Sequence, residues 1–186
     1  MKEDLVRMLY EKAFKYSDTP IFKLTSGKTS KFYVDCKMVT LNPIGMWLVG
    51  KLVYNEIKDY DVVGIGGLTF GADPVSISTA LVSGISERPI QAFSIRKKLK
   101  GHGTGKWVEG GVKPGDNVVI VDDVSTTGRS TIEAIERSHE YGLNIKKVVI
   151  LLDRQEGGIN SIKKYVDDIS IITTLNDVIK YGEIVI

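Results

Sequence analysis

Cysteine is nearly absent from this sequence: Cys36 is the single one among 186 residues. An intrachain disulfide is excluded, and the chain reads as one made for a reducing compartment. Cys36 itself reads as a small buried residue rather than a nucleophile. An excess of either charge is also missing. Lys and Arg number 25 against 23 Asp and Glu, a net charge of +2. Such a balance argues against nucleic acid or a membrane surface as the main partner. No apolar run approaches the ~20 residues that a membrane-spanning helix needs. The opening MKEDLVRMLYEK is charged and amphipathic, unlike a signal peptide. Repeats and low-complexity segments are lacking as well. With 42% hydrophobic residues there is enough apolar material for a core. The expectation is a soluble, cytoplasmic protein whose residues 1–186 form a single domain.

What is present centres on residues 118–131, VVIVDDVSTTGRST. Val118 to Val121 form a continuous β-branched run, as in a strand covered on both faces. Asp122 and Asp123 stand where that strand would end. Ser125, Thr126, Thr127 and Gly128 follow, and Ile132, Ala134 and Ile135 open a helical pattern. In open α/β sheets, ligands bind beyond the carboxyl ends of the strands. A helix start behind a small-residue loop offers free N–H groups and a positive dipole end to a phosphate. Two carboxylates would repel that phosphate, so they are expected to face neutral hydroxyls or a ligand-held metal. The pattern asks for a phosphorylated sugar. Read alone, it is also compatible with an ordinary capped strand–turn–helix.

Taken in order, the chain predicts a helix over 3–15, ended by Ser17, Asp18 and Pro20. Residues 21–25 and 31–35 alternate as strands, joined by a turn at Ser26-Gly27-Lys28 into a hairpin. That alternation puts Phe32 and Val34 on one face and Tyr33 on the other. Asn42 and Pro43 start a helix through Glu56. A strand over 62–67 leads to GLTFGADPVS and a helix from Pro74 to Val82, which by itself reads as a plain βα turn.

Pro89 to Ile95 is the next strand. Behind it, residues 96–111 read RKKLKGHGTGKWVEGG, basic and rich in glycine. Such a stretch fits a mobile lid that closes on polyanions, and equally a solvated loop without a task. After the organising strand, a helix runs to about Tyr141 and stops at Gly142. Further strands cover 148–152, with DRQE at its end, and 170–174, after which Asn176 caps a short final helix. Strands alternating with helices argue for an α/β fold with a central, mostly parallel sheet flanked by helices. Residues 1–40 would add a helix and a small hood beside the strand ends.

Five segments, SGKTSKFYVD, GLTFGADPVS, RKKLKGHGTG, IVDDVSTTGRS and LLDRQEGG, together resemble the orotate phosphoribosyltransferases, a family of type I phosphoribosyltransferases. The likeness spans nearly the whole chain. It implies the type I fold with an N-terminal hood. It also implies a pentosyltransferase joining orotate to phosphoribosyl pyrophosphate (PRPP) with Mg²⁺, to give orotidine 5′-phosphate and pyrophosphate in pyrimidine synthesis. Alternatives are transfer to a purine or another base, and a PRPP-sensing regulator. By position, Arg96, Lys97, Lys100 and His102 match lid residues that contact pyrophosphate. Asp122 and Asp123 match the ribose-binding acids. Val124, Ser125, Thr126, Thr127, Gly128, Arg129 and Ser130 complete the PRPP loop.

Thr126 and Arg154 match orotate-holding positions, with Arg154 gripping the carboxylate as a fork. Taken without the resemblance, Arg154 is equally a salt bridge at a strand end. Tyr33 and Val34 match backbone that borders the base. Catalysis is assigned to Lys97, Lys100, His102 and Asp123. Magnesium is carried by PRPP and has no direct protein ligand. The resemblance further implies a homodimer whose lids reach the neighbouring site. Two departures stand out. Members with a lysine before the Ser-Gly of the hood have Thr25 here, and those with a lysine in the middle segment have Gly71. Lys28 is the candidate to supply the missing charge.

Overall fold

A computed structural model of the chain describes residues 1–24, 27–86, 88–98 and 107–185. The β-branched runs lie side by side at its centre. Strands β5 (Gly64–Leu68), β6 (Gln91–Ile95), β7 (Val108–Gly110), β8 (Asn117–Ser125), β9 (Asn144–Asp153) and β10 (Ile169–Thr174) form one sheet in the order β10-β9-β8-β5-β6-β7. Neighbours are parallel except β6 and β7, which pair antiparallel at the edge.

The two-residue period of the central strands sorts their side chains into two cores. Val119, Val121, Val149 and Leu151 face one side, where they meet Leu5 and Leu9 of the N-terminal helix, α1 (Lys2–Met8) with its π-helical turn Leu9–Ala13. On that side also lie α3 (Pro43–Ile57), through Val49, Val53 and Ile57, and α4 (Ala72–Ser83), through Ala72 and Val75. Val178 of α7 (Leu175–Val185) joins them. Val118, Ile120, Val148 and Ile150 face the other side, against Ala134 and Ile135 of α5 (Arg129–Tyr141) and Ile162 of α6 (Gly158–Ile162). A sheet buried on both faces explains why these strands read as unbroken apolar runs.

The α/β class, the mostly parallel sheet and the flanking helices agree with expectation. So does the start of α3: Asn42 Oδ1 accepts from the Ile44 and Gly45 amides at 3.0 and 3.3 Å, with Pro43 in the first turn. The end of α5 agrees too, with Gly142 left-handed at φ 91°.

Other expectations need correction. The first helix does not reach residue 15, because Phe14–Tyr16 form a strand, β1. That strand, not residues 21–25, pairs with β4 (Phe32–Val34), Phe14 opposite Val34. The expected hairpin shrinks to β2 (Phe22–Lys23) against β3 (Thr29–Ser30). The physical reason is aromatic packing: Phe32 stacks on Phe14 at 6.0 Å and touches Tyr16 at 5.5 Å. Tyr33 leaves the other face and stacks on Phe22 at 5.7 Å, as the alternation required.

The glycine-rich stretch is also shorter than 96–111. Val108–Gly110 continue the sheet as β7, with Ile95 opposite Val108. The cap of α7 is Thr174 rather than Asn176: Thr174 Oγ1 accepts from the Asp177 amide at 3.1 Å, while Asp177 Oδ2 accepts from the Thr174 amide at 3.0 Å. A short helix, α2 (Lys37–Thr40), follows β4 and was not anticipated.

Candidate active site

Strand β8 runs on through both acids, since Asp122 pairs with Ile150, Val124 with Leu152 and Ser125 with Asp153. Consecutive residues of a strand point to opposite faces, so the two carboxylates part company. Asp122 turns toward α5. Its Oδ2 accepts from Ser130 Oγ at 2.6 Å and Thr131 Oγ1 at 2.7 Å, and its Oδ1 accepts from the Asp123 amide at 3.1 Å. Asp123 turns toward Gly71 and Lys37. A Cβ added at Gly71 would run into the Asp123 carboxylate, so the backbone at residue 71 forms the wall against which that acid lies.

Both acids are buried. Burial, and then the charge of Asp123, push Asp122 from the usual carboxylate range to about 7. Hydrogen bonds from Ser130 and Thr131 act the other way. Burial raises Asp123 as well, and the Lys37 ammonium is the largest opposing influence.

Between these groups lies a cleft of about 390 Å³. Asp122, Asp123, Val124, Thr126, Thr127, Gly128, Arg129 and Ser130 line it, joined by Lys97 from behind β6 and by Lys37, Leu68, Gly71 and Glu133. The loop arrives at α5 through Gly128, which is left-handed at φ 82°. Its free amides at the start of a 13-residue helix make an anion seat. The floor under that loop is Gly158: a Cβ there would sit 2.9 Å from the Thr126 carbonyl oxygen and 3.0 Å from the Gly128 amide, and would strike Ser125 Oγ. Ser125 itself is buried with its hydroxyl unpaired among the described residues, and it does not line the cleft.

The remaining predicted residues are placed differently. Arg96 pairs with Glu109 at 2.6 Å, and its amide donates to the Trp107 carbonyl at 2.9 Å. Lys100 and His102 lie outside the described residues. Arg154 is buried and does not line the cleft. Its Nε pairs with Glu156 at 2.9 Å, and its NH2 group reaches the Phe32 carbonyl at 3.3 Å and Ser30 Oγ at 3.4 Å. It thereby ties the end of β9 to the hood. Tyr33 borders a separate groove with Lys15, Ile21, Phe22 and Lys23, and Lys28 is exposed on the hood turn. Val34 is buried in the core.

Two residues escaped the sequence reading. Lys37 enters the cleft just past β4, with its Nζ 2.6 Å from Asp35 Oδ1. The signal for it was present: a cation directly after a strand whose preceding residues had already been singled out. Arg137 has no such signal. From the third turn of α5 it donates to the carbonyl oxygens of Arg96 and Lys97 and lies 3.9 Å over the Trp107 ring. It grips both flanks of the glycine-rich segment at once.

Comparison with known proteins now decides the family. Residues 53–182 match the phosphoribosyl transferase domain. Orotate phosphoribosyltransferase of Aquifex aeolicus is 42% identical over 163 residues, which cover 88% of this chain and 89% of that protein. The chain belongs to the orotate phosphoribosyltransferase family. The fold agrees: an orotate phosphoribosyltransferase of Mycobacterium tuberculosis, crystallised with Fe(III) dicitrate, superposes with a TM-score of 0.81 at 30% identity, covering 95% of this chain and 98% of that one. The same mycobacterial enzyme in complex with PRPP gives a TM-score of 0.77 at 28% identity, covering 95% and 98%. The type I phosphoribosyltransferase architecture expected for this family is therefore the one observed, with the acid pair and its loop at the carboxyl end of β8.

Proposed function

We propose that the chain transfers the phosphoribosyl group of PRPP to orotate, releasing pyrophosphate and forming orotidine 5′-phosphate. The observation that carries this reading is the convergence, in one cleft, of the acid pair, the loop of residues 126–130 and Lys97. A doubly phosphorylated ribose matches that arrangement from end to end. The loop amides and the start of α5 take the 5-phosphate. The carboxylates of Asp122 and Asp123 accept from the ribose hydroxyls. Lys97 faces the pyrophosphate, and Arg96, Lys100 and His102 are assigned to the same anion through the family resemblance. Thr126 and Arg154 are assigned to orotate by that resemblance. The Nε and NH2 donors of Arg154 are tied to Glu156 and Phe32, so a two-point grip on a carboxylate through either of those nitrogens would share or exchange these partners.

Magnesium enters as part of the substrate. Among the described residues no group of three or more His, Cys, Asp or Glu side chains could hold a metal. The Asp122 carboxylate already accepts three hydrogen bonds. By the family resemblance the ion would be carried by PRPP, and the chain would supply charge and position. As the bond from ribose C1 to pyrophosphate breaks, positive charge grows on the ring and negative charge on the leaving group. Lysines beside the pyrophosphate stabilise the latter, and the carboxylates face the former. The orotate ring nitrogen gives up its acidic proton to water as it bonds to C1, so holding that nitrogen in line with C1 is the main remaining task.

The working unit is a dimer in which each lid serves the neighbouring site. Support comes from an apolar surface on α3 and α4, where Ile44, Trp47, Ile77 and Leu81 are all more than half exposed. Among the described residues no helix is long and apolar enough to cross a membrane, and the proposed compartment is the cytoplasm.

A base panel tests the reading. With PRPP and Mg²⁺, orotate should be consumed while adenine, guanine, hypoxanthine and uracil are left. Consumption of a purine instead of orotate would overturn the assignment.

A further inference from the structure

Among the described residues, Lys37 is the cation lining the cleft that no role yet claims. It reaches the cleft from the N-terminal part of the chain, unlike Lys97 behind β6 and Arg129 on α5. Its ammonium is held by Asp35 at 2.6 Å, and its side chain keeps 41% of its exposure. A half-exposed pair of this kind contributes modestly to stability, and the lysine also lines the cleft. The group it faces is functional: Lys37 is the main charge acting on Asp123.

The positions on β8 say which anion it meets. Asp122 leaves the strand toward α5, where the loop of residues 126–130 offers its amides to one phosphate. Asp123 leaves it the other way, toward Gly71 and Lys37. A ribose lying across the two acids with its 5-phosphate in the loop directs its other charged end away from α5. That end is the pyrophosphate on C1. Gly71 offers no side chain to it, because Asp123 occupies the space a Cβ would need.

We propose that Lys37 is a substrate-binding residue of this enzyme, contacting the pyrophosphate of PRPP from the Asp123 side of the cleft. The inference rests on the proposed use of PRPP and does not depend on which base accepts the ribose. Asp35 is then a positioning residue. It holds the ammonium at 2.6 Å until the stronger charge of the pyrophosphate takes over as PRPP enters.

Calorimetric titration with PRPP and with pyrophosphate tests this without any base present. Lys37→Met removes the charge and keeps the length, Lys37→Gln does so with a polar end, and Lys37→Arg keeps the charge. Either neutral variant should bind both ligands about tenfold more weakly, the order expected for one charge-assisted contact. Lys37→Arg should stay within about threefold of the parent on the same grounds. In turnover, the neutral variants should raise KM for PRPP and leave KM for orotate unchanged. Neutral variants that bind both ligands like the parent, with only a lower melting temperature, would overturn the inference and leave Lys37 a strap for α2. Failure of the parent itself to bind PRPP would overturn both this inference and the functional reading. Binding by the parent without orotate turnover would overturn the choice of base alone, and the loss in the neutral variants would still stand as support.

Discussion

Ser130 Oγ donates to Asp122 Oδ2 at 2.6 Å, closing the chain over eight residues. This bond, with that of Thr131 at 2.7 Å, fixes the first turn of α5 to the end of β8. The loop between them is held in shape before any substrate arrives. The same bonds favour the ionised form of an acid that burial pushes to about 7. Scaffold and titration are therefore coupled at one carboxylate.

That coupling has a direct consequence. Asp122 accepts from substrate hydroxyls best when ionised, so PRPP affinity should fall as pH drops through its pKa. Thr131→Val removes one donor that lowers this pKa. The acidic limb of kcat/KM for PRPP should therefore move to higher pH, by about 0.5–1 unit if one neutral hydrogen bond is lost. A limb that stays in place would mean that another group controls it.

Asp122 also makes stability depend on pH. Its folded pKa lies above the ordinary 3.8, so between about 4 and about 7 the native chain holds more protons than the unfolded one. Stability should fall as pH rises through that window. Asp122→Asn escapes this cost. It should melt about 5 °C above the parent at pH 8, on the order of 2 kcal/mol, with the gap closing near pH 4. Thermal melts at the two pH values check it, and an equal gap at both would contradict the assignment.

Gly158 sits under the phosphate loop, and its role can be separated from chemistry. Gly158→Ala should push Ser125, Thr126 and Gly128 outward. We expect PRPP binding to weaken at least tenfold, with a stability loss of about 1–3 kcal/mol from overpacking. Normal PRPP affinity would show that the loop tolerates the shift.

Much of this site was legible in the residue order, and the reason is contiguity. Acid pair, loop and helix start are consecutive from Asp122 to Ser130, so one stretch carries the strand signal, the turn residues and the cap. The hood was not legible in the same way. Strands of two and three residues, such as Phe22–Lys23 and Phe32–Val34, are too short for a period, and their partners were chosen by aromatic stacking. Glycines at 110 and 111 hid the edge strand Val108–Gly110, because composition there outweighs the pairing that the sheet provides. Lys37 and Arg137 act on segments far away in sequence, and only the folded chain brings those together.

A control lies at the other end of the sheet. Lys147 is buried with its Nζ 2.8 Å from Asp168 and 3.0 Å from the Tyr60 hydroxyl, which itself donates to Asp168 at 2.6 Å. Asp168→Asn leaves that ammonium without its counter-charge. Since Asp168 is partly exposed, we expect a loss of about 1–2 kcal/mol rather than the full cost of a broken buried pair. PRPP affinity at a temperature well below melting should be unchanged. A fall in affinity would mean that the two ends of the sheet communicate.

The central claim is that PRPP and orotate are joined in this cleft. Purified protein, PRPP and Mg²⁺ should deplete orotate absorbance, with one pyrophosphate released per orotate lost and no loss when PRPP is omitted. Intact orotate in the presence of bound PRPP would contradict the account.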